Sequence, residues 1–197
     1  MDANAGQGYI VMLMENDDII IQESRCWLET VVIANNFCPF AKRELDQGHI
    51  RFVVSHHTEI QDFLEALMLE CEYLDKNTDI ETTLLIAANA FKDFDDYLIM
   101  LELAQMLMEN QGCEGIYQLA SFHPDYCFDG SDNEDAANYT NRSPYPMLHL
   151  LRESSLEKAL THYDQPELIP ENNINKARSA GLEQMKSQLQ NCYQNKK

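Results

Sequence analysis

The succession of apolar segments along the chain predicts an α/β domain with a small, mainly parallel sheet of about three core strands, βαβαβ, covered by helices. Three observations predict it. Compact runs rich in β-branched or aliphatic residues recur at Ile50 to Ser55, Thr82 to Ala88 and Ile116 to Phe122. The stretches between them carry apolar residues at helical spacing. Two strand–helix–strand units in succession require crossover connections, which in parallel sheets run right-handed. A chain of 197 residues suits one domain with appendages. The expected division is a leader over 1–18, a single α/β domain over 19–165, and a peripheral C-terminal helix and tail over 166–197.

The elements follow in order. A short strand is expected at Tyr9 to Met14. Asp17 or Asp18 is placed to cap a helix whose positions Ile20, Trp27, Leu28, Val31 and Ala34 recur on one face and which ends near Asn35-Asn36. Pro39 suits the first turn of a short helix with Cys38 at its cap, closed by Gly48. After the first strand, Thr58 and Gln61 have capping-box spacing ahead of the stripe Ile60, Phe63, Leu64, Leu67, Met68, Cys71 and Leu74, predicting a helix over about 58–76. The second strand is apolar nearly throughout, as a central strand buried on both faces would be. Asp93 caps a helix carrying Phe94, Tyr97, Leu98, Leu101, Ala104 and Met108 to Gly112. From Ser143 a helix is expected to turn Met147, Leu148, Leu150, Leu151, Leu156 and Ala159 inward and to end near Tyr163. Pro166 and Pro170 break the chain, and Ile174 to Leu189 reads as a polar helix with Gly181 inside it, a peripheral packer or a homo-oligomer contact.

Composition narrows the function classes. The formal charge is −19, from 33 acidic against 14 basic residues, and a field of that sign repels nucleic acid and anionic membrane surfaces. Neither is expected as a partner. The apolar run Tyr9 to Met14 is too short to span a bilayer and lacks a basic flank, so it reads as neither membrane helix nor signal peptide. Six cysteines occur without any CxxC pair. In a core-rich chain of this size they read as reduced thiols of a cytoplasmic, acidic protein.

The segments NFCPFAK, ETTLLIA, DFDDYL, QLASFHPDYCFDG and YTNRSPYPMLHLLRE resemble those of an uncharacterised bacterial family, domain of unknown function 1415. The resemblance runs from about Trp27 to Ala159. It implies that these blocks form one unit and brings no activity with it.

Topology says where to look for a site. In open parallel sheets ligands bind outside the carboxyl ends of the strands. The first strand delivers Ser55, His56 and His57, the second Asn89, and the third Ser121, His123 and the long loop to Arg142. The leading expectation is a cytoplasmic enzyme acting on a small anionic metabolite. His123 would serve as general base and Tyr126, with Tyr139 or Tyr145 nearby, as orienter or proton donor. Arg142 would stabilise negative charge, and Asn141, Ser143, His56 and Asn89 would complete the substrate contacts. The alternative is a non-catalytic ligand- or protein-binding module using the same loop, and a second alternative is a metal-dependent hydrolase.

Each of these residues also has a structural reading. Arg142 can pair with Asp125 or Glu153 to pin the loop. Pro144 and Pro146 each remove an amide N–H from an anion cradle, which favours a carboxylate over a phosphate. His149, between Met147 and Leu150, reads as a core histidine. Cys38 is a candidate reactive thiol if a helix dipole lowers its pKa, and Cys127 suits burial between Tyr126 and Phe128. His56, His57, His123, His149, Cys38, Asp125 and Asp129 are ligand types without HExxH or CxxC spacing. No cofactor is therefore expected, and a metal near His123 is the main alternative. Asp129 to Asp135 lacks the glycine and glutamate of a calcium loop and reads as a solvated linker.

Overall fold

The computed structural model describes residues 16–161 and 163–193. The expected strand at Tyr9 to Met14 lies outside these residues. Helix α1, residues 16–27, widens into a π-helical turn at Leu28–Ile33, where the Ala34 N–H bonds Glu29 O, five residues back, at 3.1 Å. The elements that follow are α2 (Ala41–Asp46), β1 (Ile50–Ser55), α3 (Ile60–Lys76), β2 (Thr82–Ala87), α4 (Phe94–Asn110), β3 (Tyr117–Phe122), a 3-10 turn (Ala136–Thr140), β4 (Met147–Arg152), α5 (Glu153–Leu160), α6 (Ile169–Ala180) and α7 (Leu182–Gln190). No helix among the described residues is long and apolar enough to cross a membrane.

The sheet corrects the expected architecture. It has four strands in the order β1-β2-β4-β3 and is mixed: β1 and β2 are parallel, while β4 runs antiparallel to both β2 and β3. The helix expected from Ser143 is therefore a strand followed by the short α5. Met147–Arg152 is apolar on both sides because it is buried on both: Leu148 and Leu150 pack with α3 and α4, and Met147 with α1. A run of this kind carries no periodicity that tells a central strand from a buried helix.

Two cores fill the space on either face. On one, Phe63, Leu67 and Leu74 of α3 and Tyr97, Met100 and Ala104 of α4 meet Leu85, Leu148 and Leu150. On the other, Trp27, Leu28 and Val31 meet Leu84, Ile86 and Met147 together with Ala177, Met185, Leu189 and Cys192. The last four belong to the C-terminal segment that the polar sequence placed at the periphery. It is two helices, parted at Gly181 (φ 87°), and sends these four residues into the core while Ala180, Leu182 and Tyr193 pack against it.

Helix ends follow local chemistry unevenly. Asp93 caps α4 as expected, accepting from the N–H groups of Asp95 and Asp96 at 2.9 and 3.3 Å. Thr58 and Gln61 form no capping box; the cap of α3 is Glu59, without a side-chain bond. Asp17 and Asp18 are helical residues of α1 rather than its cap. At the far end of α3, Arg152 bonds the carbonyls of Leu74, Asn77 and Ile80, and its Nη1 reaches the Tyr117 hydroxyl at 3.3 Å. A cation on the free carbonyls of a helix C-terminus satisfies the groups the helix leaves open and complements its dipole. Arg152→Ala is expected to cost about 1–3 kcal/mol, since it removes charged donors from three carbonyls, of which Leu74 O and Asn77 O keep only the N–H groups of Asn77 and Ile80. Amide exchange in the last turn of α3 should accelerate more than in its first. Urea denaturation and hydrogen exchange check this, and equal exchange at both ends would remove Arg152 as the cap.

Candidate functional site

The long connection between β3 and β4 turns its polar groups inward. His123 is fully buried. Its Nε2–H donates to Phe91 O at 2.9 Å, and its Nδ1 accepts from the Asp125 N–H at 3.0 Å. The tautomer follows, because a carbonyl only accepts and an amide N–H only donates. The ring packs on Phe94 and Tyr97 with centroids 5.1 and 5.0 Å away. Burial pushes its pKa down, against weaker opposing effects of the Phe91 hydrogen bond, Asp125 and Asp93. Both nitrogens are engaged with the backbone, and protonating Nδ1 would face one N–H with another.

The remaining loop residues are held in the same way. Arg142 Nε donates to Tyr126 O at 2.9 Å and Nη2 to Asn133 O at 3.0 Å, while the guanidinium lies 4.8 Å from the centre of the Tyr139 ring. It pins the loop as the structural reading required, but through carbonyls rather than through Asp125 or Glu153. Asn141 Nδ2 donates to Ser121 O at 3.1 Å, and the buried Ser143 hydroxyl donates to Tyr145 O at 2.7 Å. Tyr126 packs against Phe94 and Phe128, and burial pushes its phenol up. The Tyr145 hydroxyl donates to the buried Glu23 at 2.5 Å.

Asn138, which the sequence reading passed over, organises the acidic stretch. Fully buried, it accepts from Phe128 N and Ser131 Oγ at 3.0 Å each and donates to Asp132 O at 2.9 Å. The signal was present in Ala136-Ala137-Asn138-Tyr139, a buried tract inside a charged loop. Nor is that loop only a linker: Asp135 caps the 3-10 turn and pairs with Arg178 at 2.7 Å.

A second cluster sits at the carboxyl ends of β1 and β2. His56 Nε2 lies 2.6 Å from Asp17 Oδ1, and His56 Nδ1 lies 3.2 Å from Asn89 Nδ2. The side chains of His56 and Asp17 keep 29% and 34% of their surface exposed. Of the expected substrate contacts, His56 and Asn89 are thus brought together. Asp17 joins them from α1, 39 residues before His56 in the chain, and no local motif announced it. His57 stands aside, with Nδ1 3.9 Å from Asp62.

The other candidates are separate. Cys38 precedes α2 by three residues instead of capping it. Burial pushes its thiol up, outweighing the backbone hydrogen bonds of Phe40 and Ala41. All six cysteines are free thiols. Cys127 Sγ is 3.6 Å from Ser131 O inside the loop. Among the described residues no three His, Cys, Asp or Glu side chains are grouped to hold a metal ion.

A family model described as "Protein of unknown function (DUF1415)" matches residues 19–187 of the chain. The chain belongs to that family. The DUF1415 match extends beyond the Trp27 to Ala159 blocks at both ends, taking in α6 and the first part of α7 with Ala177 and Met185 of the second core. No curated protein and no solved structure matches the chain.

Two predictions follow from the histidines. His123→Ala is expected to destabilise the fold by about 3 kcal/mol, combining a cavity with two unpaired backbone groups; calorimetry showing an unchanged melting temperature would remove its role as a latch. His149 donates Nε2–H to Thr82 Oγ1 at 2.6 Å, since that hydroxyl donates to Leu150 O, and burial holds its pKa down at about 4. The unfolded chain takes up that proton near pH 6.5, so the folded state loses stability as pH falls from about 6.5 towards 4, by roughly 1.4 kcal/mol per unit. Between pH 7 and 5, His149→Gln should lose about 2 kcal/mol less than the native chain, as read from urea midpoints.

Proposed function

We propose that the protein is an enzyme acting on a small polar metabolite, with His56 as its acid–base group, Asp17 as the partner that orients it, and Asn89 as substrate contact. The observation that carries this reading is the chain of hydrogen bonds Asp17–His56–Asn89 at the carboxyl ends of two parallel strands. A carboxylate on one imidazole nitrogen fixes the tautomer and stabilises the cation formed when the other takes a proton.

The contrast with His123 explains why the acid–base role moves. The Nδ1 partner of His123 is a backbone N–H, which can only donate. The Nδ1 partner of His56 is a side-chain amide. By rotating, an amide offers either a donor to neutral imidazole or a carbonyl oxygen to imidazolium. His56 can therefore change protonation state without leaving a polar atom unpaired. His123 serves the same end of the sheet as a positioning residue, tying the β2–α4 connection at Phe91 to the loop after β3.

The substrate charge also shifts. Arg142, the group that favoured an anion, directs its guanidinium to two carbonyls, while the group beside His56 is the carboxylate of Asp17. A neutral or cationic metabolite suits that field better.

A thermal-shift screen of a metabolite library tests this, with each hit retested on His56→Gln and Asp17→Asn. The expected result is at least one ligand whose stabilisation disappears in both variants while their unliganded melting temperatures stay within about 3 °C of the native chain, the shift of less than 1 kcal/mol. Ligands that stabilise both variants as well as the native chain would sink the proposal.

A further inference from the structure

The outer surface formed by α3 and α4, the face turned away from the sheet, has an apolar character that the domain's own packing does not use. A groove of about 810 Å³ runs between the two helices, with Leu64, Met68 and Leu69 on one wall and Leu103 and Leu107 on the other. Leu69 is 63% exposed, and on α4 Ile99, Leu103 and Met106 are 53%, 39% and 52% exposed. Those three are spaced i, i+4, i+7, so they form a continuous stripe beside the groove. A contiguous apolar surface of this kind marks an interaction site far more often than scattered exposed leucines do.

The charges around it choose the occupant. Glu65 and Glu72 line the groove itself. Glu102 and Glu109 flank the α4 stripe, and Asp62 and Asp95 stand in the first turns of the two helices. Lys76, the only basic residue in either helix, lies 3.2 Å from Glu72. A second copy of a chain with charge −19 would set like charges against each other here, and an anionic membrane would be repelled in the same way. Each wall is a 17-residue helix, about 25 Å long, which offers a third helix a seat of matching length.

We propose that the α3–α4 groove docks an amphipathic helix of a partner protein, with leucine-type residues filling the groove and lysine or arginine residues facing Glu65, Glu72, Glu102 and Glu109. Apolar anchors supply the affinity, and the carboxylates set the partner's sign and speed its approach. His56, Asp17 and Asn89 are not among the residues lining the groove, and the docking does not depend on the proposed chemistry there.

The test uses the full chain and a fluorescein-labelled peptide of about 18 residues, long enough to cover the groove, with leucines on one helical face and lysines on the other. Anisotropy should show saturable binding. Leu69→Ser with Leu103→Ser should weaken it at least tenfold, as should Glu65→Gln with Glu72→Gln, and His56→Gln should leave it unchanged. All four substituted groove positions are exposed or on the groove wall, and circular dichroism melting verifies the fold of each variant. A scrambled peptide of the same composition but with no apolar face controls for charge alone. If it binds within about twofold of the amphipathic one, or if the leucine variants bind like the native chain, the proposal fails. It fails equally if sedimentation shows a dimer of the native chain that Leu103→Ser dissociates, because the occupant is then a second copy.

Discussion

β4 lies between two strands that both run the other way, so its backbone is hydrogen-bonded along both edges and its side chains are buried on both faces. Had the three earlier strands been neighbours, the ends of β2 and β3 would have opened a crevice between them. Instead the segment leading into β4 occupies that position: the Ala87 N–H bonds Pro146 O at 2.9 Å, and the Tyr97 hydroxyl donates to Met147 O at 2.8 Å while accepting from Phe122 N at 3.1 Å. One antiparallel strand thereby turns the loop after β3 from an open rim into a packed plug. The inward orientation of His123, Asn138, Asn141 and Ser143 follows, because polar groups carried into such a plug must find partners there.

At this end of the sheet, solvent reaches His56 and Asp17 beside β1 and β2, the one parallel pair of neighbours. That is where a histidine keeps a carboxylate on one side and an amide on the other. The two clusters share residue types but differ in what surrounds them. Around His123 the partners are backbone and the solvent is gone; around His56 they are side chains and solvent reaches them. Freedom to exchange a proton depends on that difference more than on the identity of the ring.

Much of this was legible in the residues. Ile50–Ser55 is a strand at the expected bounds, Thr82–Ala87 and Tyr117–Phe122 are each one residue shorter than expected, and Asp93 caps its helix. These features are local, so short windows of sequence contain them. β4 was missed because MLHLLR is equally apolar in either periodicity, and the two prolines before it suit a strand entry as readily as a helix start. The placement of His56 and Asn89 at one end of the sheet was legible because each directly follows a strand expected to be parallel. Asp17 was not, because its contact with His56 is made by a helix on another layer. The inward-facing C-terminal helices were hidden by their polar composition, in which Ala177, Met185, Leu189 and Cys192 are buried in the core and Ala180, Leu182 and Tyr193 pack against it.

Those last contacts bear on how the chain assembles during synthesis. Asn35 Nδ2 bonds Gln188 Oε1 at 3.0 Å and Thr30 Oγ1 lies 3.4 Å from Cys192 Sγ, pairs separated by 153 and 162 positions. The core around α3 and α4 closes from segments made in quick succession. α1 and the π-helical turn precede α6 and α7 in the chain, and until those helices are made the core of Trp27, Leu28 and Val31 has the sheet, Phe37, Ala41, Ala136 and Tyr139 as cover but lacks Ala177, Met185, Leu189 and Cys192. Closure of that long loop carries the larger entropic cost. Until α6 and α7 are made, one side of the sheet can be finished while the other lacks part of its cover, which makes the nascent chain most exposed to mispairing and chaperone capture along the face that α1 and α7 jointly seal.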